Sequence, residues 1–390
     1  MTKLLFKLFI KRPESTKDPQ VREAYGILAG CVGIVVNLVL CAAKFMMGLF
    51  TGSIAIQADA VNNLSDVGSS TVTLIGFKAA GKPADREHPF GHARMEYISA
   101  LIIAFLILLV GVELGRGAIE KILNPTPVNF SVSAMVVLAV SIFAKLWLGL
   151  FNRSVAKRID SGAMEAAFMD SLCDMISTGA ILVSTVIGYF TRLNLDGYIG
   201  VLVACFVLYA GVKIVKDAIS PLMGEAPSVE TVQELTQQIL AYEGINGIHD
   251  MVIHNYGPGR RIATLHAEVD ARADILETHE IIDHIEKEVG ERMNMLITIH
   301  LDPIQTDDEL ANTAREHIAD IIAETDGRLR FHDFRVVRSI RLNLFFDLVV
   351  PPEMSREDIN AIQARICQAA ESRDHRYLCV ITIDRDFLGC

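Results

Sequence analysis

The chain has 390 residues, of which 51% are hydrophobic, and its mean hydropathy of +0.35 is too apolar for an ordinary soluble domain of this size. The long apolar runs precede Pro221 and most of the charge follows it, which predicts a membrane half and then a soluble half. The net charge of -11 comes largely from the second half and argues against nucleic acid as a partner, because phosphate binding needs a basic face.

Six apolar segments are long enough to cross a bilayer, which takes roughly 20 residues. They lie at about 25–50, 53–79, 95–121, 129–151, 162–190 and 196–218. The second and fifth segments contain acidic residues and are weaker in hydropathy, but their flanking turns and remaining apolar residues favour spanning helices. We therefore predict a basic N-terminal arm over residues 1–24 and a six-helix transmembrane domain over residues 25–220.

Lysine and arginine are concentrated in the N-terminal arm and in the loops after the second, fourth and sixth predicted helices. The opposite loops carry little beyond Lys121 and Arg192. Because positive loops stay on the cytoplasmic side, we expect both termini in the cytoplasm of a multi-pass plasma-membrane protein.

After Pro221 the pattern changes to short amphipathic elements. A helix at 228–242, strands at 249–255 and 261–269, a helix at 276–289 and a strand at 295–301 follow one another. The order αββαβ is typical of a small ferredoxin-like α+β module, which we assign to residues 221–304.

The same order recurs over residues 305–390, with helices at 308–324 and 355–372 and strands at 331–337, 341–350 and 377–384. The dipeptide His249-Asp250 is echoed by His332-Asp333, and the triplet at 297–299 is echoed at 381–383. Matches at both ends of a segment indicate an internal repeat, so we predict two tandem modules.

Polar residues at helical spacing mark two of the predicted membrane helices. Asn62 and Asp66 are four residues apart in the second helix, and Asp170 and Asp174 repeat that spacing in the fifth. Residues four apart share one helix face, and membrane carboxylates almost always face the bundle interior. If the two helices are neighbours, four oxygen ligands converge; the alternative is that these acids cap helices or line a water-filled vestibule.

The ligand type predicts the ion. Carboxylate and amide oxygens suit Mn2+, Mg2+ and Ca2+, whereas Zn2+ favours histidine or cysteine, and a fully protein-made Mg2+ site is unusual. Mn2+ is the best compromise and Fe2+ is next, in each case as a transported substrate and not as a cofactor. Lys44 and Lys145 are interpreted as snorkelling or structural lysines.

Three motifs resemble the cation diffusion facilitator family over residues 25–302. They are residues 59–66 (DAVNNLSD), residues 83–92 (PADREHPFGH) followed by Arg94 and Glu96, and residues 170–174 (DSLCD). Matched position by position, the resemblance implies a transport site at Asn62, Asp66, Asp170 and Asp174. Zinc-transporting members usually have at least one histidine there; this chain has none and resembles the manganese-exporting branch.

The resemblance also implies two further metal positions. One is a loop site of Asp85, His88 and His92, for which hydrogen-bonded packing is an equal alternative. The other lies in the first soluble module and comprises His249, His266, His279, His300 and Asp302. The second module keeps His332 but has Val349 and Asp384 near the places of His266 and His300, so we predict that it lacks the full site.

The resemblance implies a homodimer in the lipid bilayer that exports Mn2+ in exchange for protons by alternating access. Zn2+ or Fe2+ export by the same mechanism is the alternative within this class, and a metal-sensing membrane protein or a channel is the alternative outside it. An enzyme is disfavoured, because paired aspartates of intramembrane proteases need a G-x-G-D run that the chain lacks.

Overall fold

The computed structural model describes residues 2–11, 13–14, 16, 18–51, 54–124, 132–191, 195–304 and 308–385. The chain divides into two compact units. The helical unit comprises residues 1–225 with 255–260, and the αβ unit comprises residues 226–254 with 261–390.

The helical unit contains one short N-terminal helix and six long helices among the described residues. These are α1 (Thr2–Phe9), α2 (Pro19–Thr51), α3 (Ile54–Ala80), α4 (Met95–Leu123), α5 (Val132–Ile159), α6 (Gly162–Thr191) and α7 (Asp196–Met223). Five of the described helices, α2 and α4 to α7, are long and apolar enough to cross a membrane. Helix α3 has 27 residues, but its Asp, Asn and Ser residues lower its hydropathy.

Helix α5 ends later than predicted. We expected it to stop at residue 151 with a loop to Asp160, because residues 152–158 are rich in polar and charged side chains. The helix instead runs to Ile159, and Phe151, Val155 and Ile159 are buried at helical spacing. Arginine and lysine are good helix formers, so these charges lengthen the helix and do not end it.

The predicted N-terminal arm also contains regular structure. Helix α1 lies within it, and α2 begins at Pro19, six residues before the predicted start. Proline suits the first helical position because it needs no intrahelical N–H partner there. The side chain of Asp59, part of the DAVNNLSD motif, lies outside the described part of the chain.

Helices α2 and α3 pack closely through glycines of α2. A Cβ atom placed on Gly26 would lie 1.9 Å from Phe77, and one on Gly30 would lie 2.6 Å from the Cβ of Leu74. Small residues at helix interfaces let the two backbones approach in membrane proteins. The pair is also joined by Lys44 of α2, whose Nζ donates a hydrogen bond to Asn63 Oδ1 at 2.5 Å.

A buried ion pair joins the starts of α2 and α4. The guanidinium of Arg22 donates to both carboxylate oxygens of Glu96, at 2.9 and 2.8 Å, and also to the carbonyl oxygens of Ile159 and Asp160. Glu96 is 1% exposed. This bidentate contact fixes the same end of three helices, α2, α4 and α5.

The αβ unit contains two modules with the order αββαβ. The first consists of α8 (Val229–Leu240), β1 (Gly247–Asn255), β2 (Arg261–Asp270), α9 (Ile275–Met293) and β3 (Met295–Ile304). The second consists of α10 (Glu309–Thr325), β4 (Arg330–Arg338), β5 (Leu342–Val350), α11 (Arg356–Arg373) and β6 (Tyr377–Arg385). The order of elements agrees with the sequence prediction in both.

Each module has one three-stranded sheet, in the orders β1-β2-β3 and β4-β5-β6. Strands β2 and β3 are parallel, as are β5 and β6. His266 lies opposite His300 in the first sheet, and Val349 lies opposite Asp384 in the second. The register therefore places Val349 and Asp384 at the positions equivalent to the two histidines.

Alternating burial explains why the strands pack on one face. Ala263, Leu265 and Ala267 are buried in β2, and Leu344 and Leu348 are buried in β5. Since successive strand side chains point to opposite faces, this spacing gives each sheet one apolar side, which packs on its own two helices.

Candidate metal centres

Side chains that could ligate a metal meet in three places within the described residues. We call them the membrane cluster (Asp66, Asp170 and Asp174), the loop cluster (Asp85, His88 and His92) and the histidine cluster (His249, Asp250, His266, Asp302 and His332). In the first two, one ligand atom from each residue lies within 4.8 Å of the others. The histidine cluster consists of two such triplets that share His249.

The membrane cluster joins helices α3 and α6. Asp66 is buried on α3, and Asp170 and Asp174 lie one turn apart on α6 and are partly buried. The sequence prediction placed these three residues in one site, and the structure brings their carboxylates together. Asn62, the fourth predicted ligand, lies one turn before Asp66 with an exposed side chain.

Lys145 of α5 lies between the carboxylates of this cluster. Its Nζ donates hydrogen bonds of 2.6 Å to Asp66 Oδ2 and to Asp174 Oδ2, and the residue is 5% exposed. The Lys145 ammonium therefore occupies the position that a metal ion bound by the same two carboxylates would take.

Of the two predicted roles of Lys145 and Lys44, snorkelling or structural, the structure fits the structural one. Lys145 is at the centre of a 28-residue helix, so roughly 20 Å of helix separates it from either end, which is beyond the reach of a lysine side chain. Lys44 is 3% exposed and bonds to Asn63. Both lysines are internal cations. The central position of Lys145 in its helix was the available sequence signal, whereas Lys44 lies seven residues before the end of α2.

The loop cluster is held by turns between α3 and α4. The carboxylate of Asp85 accepts hydrogen bonds from the backbone N–H groups of His88 and Glu87, at 2.7 and 3.0 Å. These contacts, led by the His88 N–H, lower the pKa of Asp85 below its usual range. His88 Nδ1 and His92 Nε2 lie 3.6 and 3.4 Å from its two oxygens, so all three side chains face one point.

Four of the five predicted ligands in the first module meet around Asp302. His266 Nδ1 and His249 Nε2 lie 2.8 and 3.1 Å from Asp302 Oδ2, and His300 Nε2 lies 3.6 Å from Oδ1. His279 is on an exposed face of α9 and is in none of the clusters formed by the described residues. The helix face that points inward carries Ile282 and Ile285 instead.

Asp250 and His332 of the second module belong to this cluster, although neither was predicted as one of its ligands. Asp250 directly follows His249, and its Oδ2 lies 3.4 Å from His249 Nδ1. His332 of β4 stacks on His249, with ring centroids 4.7 Å apart. The repeated His-Asp dipeptide was the available signal, but contact between the copies depends on how the modules pack.

Two domain profiles match the chain. The cation efflux transmembrane domain matches residues 31–223, and the cation efflux protein cytoplasmic domain matches residues 227–304. The chain belongs to the cation diffusion facilitator family. It is a divalent cation efflux transporter and a multi-pass membrane protein, and its family consists of transporters and not of enzymes. The second module lies outside both matched ranges.

Bacterial relatives match almost three quarters of the chain. The cation-efflux pump FieF of Citrobacter koseri is 27% identical over 287 residues, which is 73% of this chain and 95% of that protein. The proteins of the same name from Klebsiella pneumoniae strain 342 and Escherichia coli strain K12 / DH10B are 27% and 26% identical with the same coverage.

Proposed function

We propose that this transporter exports Mn2+ in exchange for protons. The observation that carries the proposal is the convergence of Asp66, Asp170 and Asp174, which offers carboxylate oxygens and no imidazole. Oxygen ligands suit Mn2+, whereas Zn2+ prefers sites with histidine or cysteine. Asn62, one turn from Asp66, is the proposed fourth ligand when the helices close around the ion. Fe2+ and then Zn2+ are the competing cargoes.

The ammonium of Lys145 competes with a metal ion for the carboxylates of the membrane cluster. Three carboxylates face one ammonium, so the cluster keeps an excess of negative charge that attracts a dication. A metal ion that binds the Oδ2 atoms of Asp66 and Asp174 must displace the Lys145 ammonium, and the ammonium can return when the metal leaves. This exchange limits the cost of three buried carboxylates in an empty site.

Protons compete for the same oxygens. When a dication leaves the cluster, mutual repulsion favours protonation of one of the carboxylates. Metal affinity depends on deprotonated ligands, so a proton gradient and metal release are coupled. With no histidine in the cluster, we assign this role to Asp66, Asp170 or Asp174.

The remaining parts of the proposal concern assembly and placement. We propose six spanning helices, with α3 as the sixth, in the plasma membrane with both termini in the cytoplasm, since the lysine-rich loops favour that orientation. We also propose ferredoxin-like modules and a homodimer, which the match to the family's cytoplasmic domain supports.

Flux into proteoliposomes tests the proposal. We expect Mn2+ uptake that accelerates with an imposed pH gradient and that Fe2+ inhibits more strongly than Zn2+ or Mg2+. Flux that ignores the pH gradient would indicate a channel, and the lack of any metal flux would indicate a sensor. Zn2+ transport in preference to Mn2+ would show that the oxygen ligands do not set selectivity.

A further inference from the structure

The two tandem modules of the αβ unit meet at their repeated His-Asp dipeptides. His249 of β1 and His332 of β4 stack with ring centroids 4.7 Å apart and an interplanar angle of 26°. One ligand atom each from His249, Asp250 and His332 lies within 4.8 Å of the others. This triplet draws on both modules, and the residues of the second module lie outside the matched family domains.

A fourth side chain, that of Asp384, lies next to His332. His332 Nε2 is 3.6 Å from Asp250 Oδ1 and 3.6 Å from Asp384 Oδ2. Asp384 is the residue that the strand register places where the first module has His300. Two imidazoles and two carboxylates therefore surround the junction, with one of each from either module.

Buried ring nitrogens at the junction lack hydrogen bonds. The side chain of His249 is 7% exposed, and neither of its ring nitrogens makes a hydrogen bond in the described structure. Carboxylate oxygens lie 3.4 Å from Nδ1 and 3.1 Å from Nε2. A neutral imidazole has one N–H and one lone pair, so it cannot donate to both carboxylates. A metal ion between a ring nitrogen and a carboxylate would satisfy both groups.

The second module cannot form a copy of the first module's site. It has Val349 where the first module has His266, and a valine side chain offers no ligand atom. It nevertheless has His332 at 3.6 Å from Asp250 of β1, and Asp384 at 3.6 Å from His332. Both dipeptides also share a backbone feature, since Asp250 and Asp333 each have a φ of +51°, which aspartate tolerates better than most residues.

We propose that His249 and Asp250 of the first module and His332 and Asp384 of the second bind one divalent cation between them. Two imidazoles and two carboxylates suit Zn2+ and neighbouring first-row transition ions better than Mg2+ or Ca2+. This position differs from the one around His266, His300 and Asp302, which uses the first module alone. The ion joins the two modules, so its binding stabilises their contact.

Metal stoichiometry of the full-length protein in detergent tests the assignment. Equilibrium dialysis against buffered Zn2+, followed by elemental analysis, gives the number of ions per chain. We expect His332→Gln to bind one ion fewer than the wild type, and Asp384→Asn to bind that ion at least tenfold more weakly. The matched control is His375→Gln, which removes an exposed imidazole of the same module and should keep every ion.

A second comparison separates the junction from the first-module site. We expect the losses caused by His266→Gln and His332→Gln to add in the double variant, because they remove different ions. A double variant that loses no more than His332→Gln alone would overturn the two-position assignment. Full stoichiometry in His332→Gln would overturn the proposal itself, and if this variant does not elute as a folded species, unchanged affinity in Asp384→Asn would do so.

Discussion

The membrane cluster and the histidine cluster neutralise their carboxylates in different ways. In the membrane cluster an ammonium, Lys145, lies 2.6 Å from Asp66 and from Asp174. In the histidine cluster, among the described residues, no lysine or arginine forms an ion pair with Asp250 or Asp302; their neighbours are imidazoles. One cluster carries its own permanent cation, and the other depends on histidines.

Under the proposed function, this difference would separate a transport site that must release its ion from a binding site that can retain it. A tethered ammonium competes with the metal and lowers its net affinity, which suits a cargo that passes through. Imidazoles compete only when protonated, so a histidine cluster holds a metal firmly near neutral pH. Ligand chemistry, and not the number of ligands, distinguishes the two clusters.

The largest effect should come from the membrane carboxylates. Asp174→Asn keeps the size of the side chain but removes one charge, which binds Lys145 and is proposed to bind the metal. We expect metal export in vesicles to fall by more than the roughly 10–100-fold that follows loss of an outer-shell partner. Glu113→Gln makes the same chemical change at an exposed position of α4 and should leave export intact. An equal loss of export in both variants would contradict a specific role of the membrane cluster in transport.

Removal of the internal cation sharpens the comparison. Lys145→Met leaves buried carboxylates without their counter-charge, and breaking a buried pair costs about 3–5 kcal/mol. We expect a lower melting temperature in detergent without metal and a larger stabilisation by added Mn2+ than in the wild type. Lys213→Met, at an exposed position of α7, is the control. Equal stabilisation of wild type and Lys145→Met by Mn2+ would argue that the ammonium and the metal do not compete.

An imidazole in the membrane cluster should make it resemble the histidine cluster. We expect Asp170→His to raise the ratio of Zn2+ to Mn2+ transport at least about tenfold, which corresponds to about 1.4 kcal/mol. Asn62→His should change the ratio in the same direction, and Glu113→His is the matched control outside the cluster. An unchanged ratio in both cluster variants would place selectivity elsewhere in the transporter.

The smallest effect concerns the loop cluster, whose Asp85 is exposed. Its pKa is lowered in the folded protein, chiefly by the His88 N–H, so its stabilising contribution is present above its unfolded pKa of about 3.8. That contribution is lost as the pH falls through the lower folded value. The difference in melting temperature between wild type and Asp85→Asn should therefore be present at about pH 5 and shrink below about pH 4.

A matched loop variant controls for charge alone. Glu87→Gln removes a negative charge two residues away, and its own difference from the wild type, measured over the same pH range, is subtracted. A corrected Asp85→Asn difference that grew below about pH 4 would contradict the hydrogen-bonded role of this carboxylate.

The sequence predicted helices and strands well where the spacing of apolar side chains follows their burial. The alternating residues of β2 and β5 predicted both strands to within one or two residues at each end. The end of α5 was wrong because Arg153, Lys157 and Arg158 were interpreted as loop residues, although their helix propensity is high. Charged residues indicate where a helix leaves the membrane. They do not by themselves indicate where the helix ends.

The sequence predicted the contacts within a candidate site only where the residues lie close together along the chain. Asp170 and Asp174 share a helix face by spacing alone, so sequence could pair them. Lys145 faces these aspartates because of how α5 is rotated about its axis. The spacing of residues within α5 does not predict that rotation. The same holds for His279, which α9 turns outward, and for His332, which reaches His249 only through the packing of two modules.

The glycine contacts between α2 and α3 have a mechanical consequence. With Gly26 against Phe77 and Gly30 against Leu74, the two helices approach closely, so we expect α2 and α3 to move as one body. Asp66 of α3 should therefore move together with this helix pair. We expect the ion pathway to open between this helix pair and helices α5 and α6. The distances from Asp66 to Asp170 and Asp174 should then change, while the distance between α2 and α3 stays constant.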